Sequence, residues 1–180
     1  MKLLTAMHRL NECDFRVGKV FSHADMRTLF PEDGQKTLQA GINRLVDGGI
    51  LERVAKGVYV YQMSHHGDRR TLEGIAAVLR RGAFSYVSLE SALSEWGVIS
   101  QVAMRLTVMT TGRKGLFECS YGIIEFTHTA KPLMQAFEGT ACDPSRPLRI
   151  AGKHKAYQDL VRVGRSLHLV DHEELRDAEN

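Results

Sequence analysis

Five side chains between positions 36 and 43 have the types and the spacing needed to contact base edges in double-stranded DNA. Asn43 can pair bidentately with adenine, Lys36 can donate to guanine, and Ala40 can contact a thymine methyl group. Thr37 and Gln39 add two further polar side chains to the same segment. The segment is therefore the candidate for base readout.

Three basic residues that follow suit the phosphate backbone better than the bases. Arg44, Arg53 and Lys56 can hold a protein on the duplex without reading its sequence. Asp47 would repel phosphate, so the end of the segment near it is expected to point away from DNA. A merely solvated polar face is the alternative for one helix alone. The basic residues beyond it favour DNA binding.

A helix and a β-hairpin are the elements that must position these side chains. Asp33 can cap the start of the helix, and Gly48 with Gly49 can supply its left-handed end. Ala55 to Gly57 interrupts a run of strand formers as a hairpin tip would. The apolar residues before the glycines recur at helical spacing: Leu38, Ile42, Leu45 and Val46.

A second helix is predicted immediately upstream. Ser22 is a good N-cap residue, and Asp25 stands at the reciprocal position of a capping box. The helix should end before Pro31, which disfavours helical backbone at the preceding residue. Helix, turn, helix and two-stranded wing predict a winged helix-turn-helix DNA-binding domain over residues 1–66.

Residues 67–180 are predicted to form a small mixed α/β domain with an antiparallel sheet, which makes the whole chain α+β. The polar stretch from Ser64 to Arg70 is the expected linker between the two domains. Ser88 is expected to cap a helix that runs through Trp96. Arg113 and Lys114 lie in a turn between strands, where a solvated hairpin tip is the simplest interpretation and additional phosphate contacts are the other one.

Composition limits the function classes. The 180 residues carry 24 basic and 21 acidic side chains, a mildly basic balance that is compatible with nucleic acid. Three scattered cysteines argue against a disulfide framework and against a zinc site. The sequence has no signal peptide and no apolar run of membrane-spanning length, so the protein is expected in the cytoplasm.

No catalytic constellation, cofactor loop or metal set stands out. The adjacent His65 and His66 lack a third ligand nearby, and a helix start at Asp171 would separate His168 from His172. The segment from Gly112 to Gly115 has neither the spacing nor the context of a phosphate loop. The protein is therefore not expected to be an enzyme, to bind a metal or to need a cofactor.

The chain resembles the AbiEi-type antitoxins of type IV toxin–antitoxin systems. The stretch RLVDGGILERVAKGVYVY looks like their winged-helix domain. YVSLESALSEWGVISQ, RLTVMTTG and YGIIEFTHT are similar to the start of their C-terminal domain, and RIAGKHKAYQDLVRVGRS resembles a later helix. The resemblance covers most of the chain, and the stretch from Tyr86 to Gln101 is its more specific part.

The resemblance implies a repressor with a second role. Such antitoxins bind inverted repeats in their own promoter and repress their operon, and the C-terminal domain counters a nucleotidyltransferase-like toxin without a stable complex. The alternatives are a winged-helix regulator whose second domain senses a ligand or dimerises, and an enzyme with a DNA-binding domain. Since no heptad zipper is present, we expect a monomer in dilute solution that pairs on DNA through its C-terminal domain.

Overall fold

The structure, a computed structural model, describes residues 2–64 and 70–176, and the side chains of all of these except residues 15–17. The chain divides into two compact units, Met1–Leu79 and Arg80–Asn180. Helices and sheets occur together, so the fold is mixed α+β, as predicted. In the part of the chain that is described, no helix is long and apolar enough to cross a membrane.

The first unit surrounds a three-stranded antiparallel sheet of order β1–β3–β2 within the described residues. Its core contains Leu10, Phe30, Ile42, Leu45 and Tyr59, each at most 2% exposed. The elements in chain order are α1 (Leu3–Val17), β1 (Val20–Ser22), α2 (His23–Leu29), α3 (Gln35–Asp47), β2 (Leu51–Ala55), β3 (Val58–Tyr61) and α4 (Thr71–Leu79).

Helix α4 extends the first unit beyond the predicted domain boundary. It packs against β1 and β3, so the compact unit ends at Leu79 rather than at residue 66. Ile75 and Ala76 of this helix are fully buried. The predicted linker lies largely outside the described residues, as do His65 and His66.

Some of the caps and turns predicted for α2 and α3 are present in the structure, and one is not. The capping box is present: Ser22 Oγ accepts from the Asp25 backbone N–H at 3.1 Å, and Asp25 Oδ2 accepts from the Ser22 N–H at 2.7 Å. Gly49 takes the predicted left-handed conformation after α3, with φ of +69°. The prediction of Asp33 as the N-cap residue is wrong, because Gly34 occupies the N-cap position of α3.

The second unit contains a six-stranded sheet of order β6–β7–β5–β4–β9–β8 within the described residues. Helices α5 and α7 pack against each other, α5 on β5 and α7 on β9. Its elements are β4 (Ser85–Val87), α5 (Leu89–Glu95), β5 (Leu106–Thr110), β6 (Gly115–Cys119), β7 (Gly122–His128), α6 (Leu133–Phe137), β8 (Thr140–Ala141), β9 (Arg149–Ala151), α7 (Lys153–Val163), a 3₁₀ turn (Leu167–Leu169) and α8 (His172–Arg176).

The prediction of an antiparallel sheet in this unit is wrong. Strands β4 and β9 pair in parallel, as do β5 and β7, so the sheet is mixed. The segment containing Arg113 and Lys114 is consequently not a hairpin tip, because β7 lies between β5 and β6. The segment is a crossover, held by a hydrogen bond from Arg80 Nε to the Arg113 carbonyl and by a 2.8 Å contact between His128 Nδ1 and the Gly112 carbonyl.

A buried carboxylate joins α7 to the sheet. Asp159 Oδ2 accepts hydrogen bonds from the Tyr86 hydroxyl at 2.9 Å and from the Ser88 hydroxyl at 3.0 Å. Ser88 is the N-cap residue of α5 and Trp96 its C-cap residue, as predicted, but the Ser88 hydroxyl donates to Asp159 and makes no cap hydrogen bond. Asp159 Oδ1 lies 3.8 Å from Lys155 Nζ and 3.9 Å from Lys131 Nζ.

Burial shifts the pKa values of two groups around Asp159, the Tyr86 phenol and the Lys155 ammonium. It raises the pKa of the Tyr86 phenol, and the nearby Asp159 raises it further, so the phenol stays protonated and donates. Burial lowers the pKa of the Lys155 ammonium, an effect that the Asp159 carboxylate opposes. The network therefore depends on Asp159 as its common acceptor.

Candidate nucleic-acid interface

The exposed side of α3 carries the side chains that the sequence marks as candidates for base readout. Leu38, Ile42 and Leu45 are buried in the core of the first unit and fix which side of the helix faces solvent. Gln39 is partly exposed, whereas the other candidates on this helix are exposed: Lys36, Thr37, Ala40, Asn43 and Arg44.

Two of these side chains form an ordered amide pair. Gln39 Nε2 donates to Asn43 Oδ1 at 3.0 Å, one helical turn further along α3. The contact uses one lone pair of Asn43 Oδ1 and leaves the second lone pair and both amide hydrogens for another partner. A bidentate contact with adenine needs one acceptor and one donor, so Asn43 retains what that contact requires.

The N-terminus of α3 differs from the sequence prediction in its N-cap residue. Gly34 occupies the N-cap position and provides no side chain for the first backbone N–H groups of the helix. In general, the first backbone N–H groups of a helix and the positive end of its dipole attract anions such as phosphate.

The β2–β3 hairpin presents the remaining basic candidates of the first unit. Arg53 and Lys56 are both exposed. The register shifts between Arg53 and Ala55, and Gly57 takes φ of +75° to close the turn. A register shift of this kind bends a strand locally, next to the tip that carries Lys56.

The hairpin tip lies beside the start of α2. The His23 backbone N–H donates to the Gly57 carbonyl at 2.8 Å, and Ser22 pairs with Val58. His23 is thus an additional polar residue next to Lys56. The sequence gives no sign that His23 lies beside the hairpin. The strand that brings α2 to the hairpin, β1, has only three residues and is too short to show a periodic pattern.

Arg113 and Lys114 belong to the second unit, whereas α3 and the β2–β3 hairpin belong to the first. Both are exposed on the crossover between β5 and β6. Within residues 2–64 and 70–176, no three His, Cys, Asp or Glu side chains are grouped as metal ligands would be. His168 lies in the 3₁₀ turn and His172 begins α8, so they do not share one helical face.

Comparison with profiles of known protein families and with curated proteins finds no significant match to the chain.

Proposed function

We propose that the first unit is a winged helix-turn-helix domain that binds double-stranded DNA. In this assignment α3 is the recognition helix and the β2–β3 hairpin is the wing. The supporting observation is that one compact unit exposes the polar side of α3 and the basic hairpin tip, while the opposite side of α3 is buried. Such motifs place the N-terminal residues of the recognition helix in the major groove.

The proposed biological role is that of a type IV antitoxin acting in the cytoplasm. The protein binds inverted repeats upstream of its own operon and represses it, and its second unit counters a nucleotidyltransferase-like toxin without forming a stable complex. The motif resemblance supports this role, particularly the stretch from Tyr86 to Gln101. In the structure that stretch runs from β4 through α5, where Tyr86 and Ser88 contact Asp159.

Two assays test the two halves of this role separately. Footprinting on the DNA upstream of the gene should protect paired half-sites, and expression of the protein should restore growth to cells that carry the adjacent toxin gene. Growth restored without any footprint would remove the repressor role. A footprint without restored growth would remove the antitoxin role and leave a DNA-binding regulator.

A ligand-sensing regulator is the second candidate, because the second unit contains a groove. The groove has a volume of about 280 Å³ and combines the charged side chains of Glu90, Arg105 and Arg165 with the apolar side chains of Val102 and Met104. Val102 and Met104 are 85% and 91% exposed. An operator affinity that changes with a small molecule, together with no effect on a toxin, would favour this function.

Lys56→Ala should weaken binding to all DNA sequences to a similar degree. Loss of one phosphate contact should make the slope of log affinity against log salt concentration shallower by about 0.9. Fluorescence anisotropy titrations at several salt concentrations measure this slope. Lys2→Ala, which removes an exposed lysine at the start of α1, is the matched control. Equal slopes for the wild type and the Lys56 variant would place the hairpin tip off the DNA.

A further inference from the structure

Strand β6 forms one edge of the sheet in the second unit. In the part of the chain that the structure describes, β7 is the only strand paired with β6. Side chains alternate along a strand, so Leu116 and Glu118 share one face, and Lys114 stands two positions before Leu116, just outside β6. All three are exposed, and Leu116 is 63% exposed although it is apolar.

The backbone groups of the same residues face away from β7. Ser120 and Tyr121 form a two-residue turn between the paired residues Cys119 and Gly122. In such a hairpin the closing pair exchanges hydrogen bonds, and alternate residues beyond it point outward. The N–H and C=O groups of Leu116 and Glu118 are therefore directed to the open edge, where another strand can pair with them.

This edge is complementary to itself in one antiparallel register. When Leu116 lies opposite Leu116 of a second copy, Lys114 lies opposite Glu118 of that copy, and two-fold symmetry repeats the pair. The outward backbone groups meet each other in this register, and the two leucines cover one another at its centre. We infer that β6 of one copy pairs with β6 of a second copy to form a continuous sheet across a two-fold axis.

A shift of register by two residues loses this complementarity. Leu116 then opposes Glu118, and Lys114 opposes Ser120. The favoured register contains two opposite-charge pairs and one apolar pair, each of which contributes modestly. A strand of five residues therefore gives weak pairing, significant when two copies are held close together, as on adjacent half-sites.

Charge reversal provides a test without DNA, because β6 belongs to the second unit. Sedimentation equilibrium of the full chain from micromolar to millimolar concentration should show a monomer that pairs at the upper end. Lys114→Glu and Glu118→Lys, each alone, turn both opposite-charge pairs into like-charge pairs, and each should raise the dissociation constant about tenfold or more. The double variant should regain wild-type pairing, as should an equimolar mixture of the two single variants.

Recovery of pairing in the double variant and in the mixture distinguishes the inferred pairing from two alternatives. One is a folding defect in the single variants, and the other is that the charges prevent association at this edge. Charged side chains on edge strands commonly prevent association. If they do so here, single reversals leave the sedimentation profile unchanged, and that result overturns the inference. Weakened pairing in the single variants without recovery in the double variant or in the mixture also overturns it. Loss of pairing in high salt and its recovery in low salt would support it.

Discussion

Asp159→Ala is expected to destabilise the second unit by about 3–5 kcal/mol, the range for removing one partner of a buried charge pair. Asp159 is fully buried and Lys155 is 7% exposed. Removal of the carboxylate leaves the Lys155 ammonium without its counter-charge in a low-dielectric environment. It also leaves the Tyr86 and Ser88 hydroxyls without the acceptor that both now use.

The single tryptophan makes this loss measurable in the second unit alone. Trp96 lies at the end of α5, and its indole N–H donates to the Ala151 carbonyl at 2.8 Å. Urea unfolding followed by Trp96 fluorescence therefore reports the unit that contains Asp159. Glu138→Ala, which removes an exposed carboxylate in the same unit, is the control and should change stability by less than about 0.5 kcal/mol.

A double variant distinguishes loss of a counter-charge from loss of packing. Asp159→Leu combined with Lys155→Met replaces both members of the buried pair with apolar side chains of similar size. It should recover part of the stability that Asp159→Leu alone loses, because the buried Lys155 ammonium is removed together with its counter-charge, whereas Lys131, whose Nζ lies 3.9 Å from Asp159 Oδ1, keeps its charge. A loss below about 1 kcal/mol in Asp159→Ala, or no recovery in the double variant, would show that the charge pair contributes little.

The hydrogen bonds around Asp159 show why contacts between distant parts of the chain could not be predicted from the sequence. Tyr86 and Ser88 lie 73 and 71 positions from Asp159, and no local pattern indicates that they meet. The parallel pairing of β4 with β9 and of β5 with β7 is hidden for the same reason. Strand propensity locates a segment, but it does not identify the neighbour with which the segment pairs.

Features that depend on neighbouring residues are predicted better from the sequence than strand pairing is, because their physical cause lies within a few residues. The capping box at Ser22 and Asp25 and the left-handed Gly49 follow from backbone hydrogen bonds and sterics within one turn. The buried stripe of α3 follows from its apolar spacing, which also fixes its exposed side. The N-cap of α3 is the exception, because Asp33 and Gly34 both suit an N-cap and propensity does not distinguish them.

Asn43→Ala is expected to reduce affinity for the operator by about 1–3 kcal/mol and to leave affinity for random DNA almost unchanged. The proposed recognition helix exposes Asn43, and the contact with Gln39 orients its amide. A base contact is lost only where the correct base pair is present, whereas a phosphate contact is lost on every sequence. The ratio of the two affinities is therefore the quantity to measure.

A folding defect in Asn43→Ala would not explain the expected loss of affinity for the operator. Alanine has a higher helix propensity than asparagine, and the side chain at this position is exposed, so the variant should be at least as stable as the wild type. Gln39→Ala should have a smaller effect with the same selectivity for the operator, because it removes the orientation of Asn43 and retains its amide.

Asp47→Asn provides the matched control on the same helix. Asp47 is exposed at the C-terminal end of α3, which is proposed to lie away from the duplex. Its neutralisation should leave both affinities unchanged. Equal losses on operator and random DNA in Asn43→Ala would make Asn43 a phosphate contact. A gain of affinity in Asp47→Asn on both DNAs would reverse the orientation proposed for α3, since it would bring the C-terminal end close to phosphate.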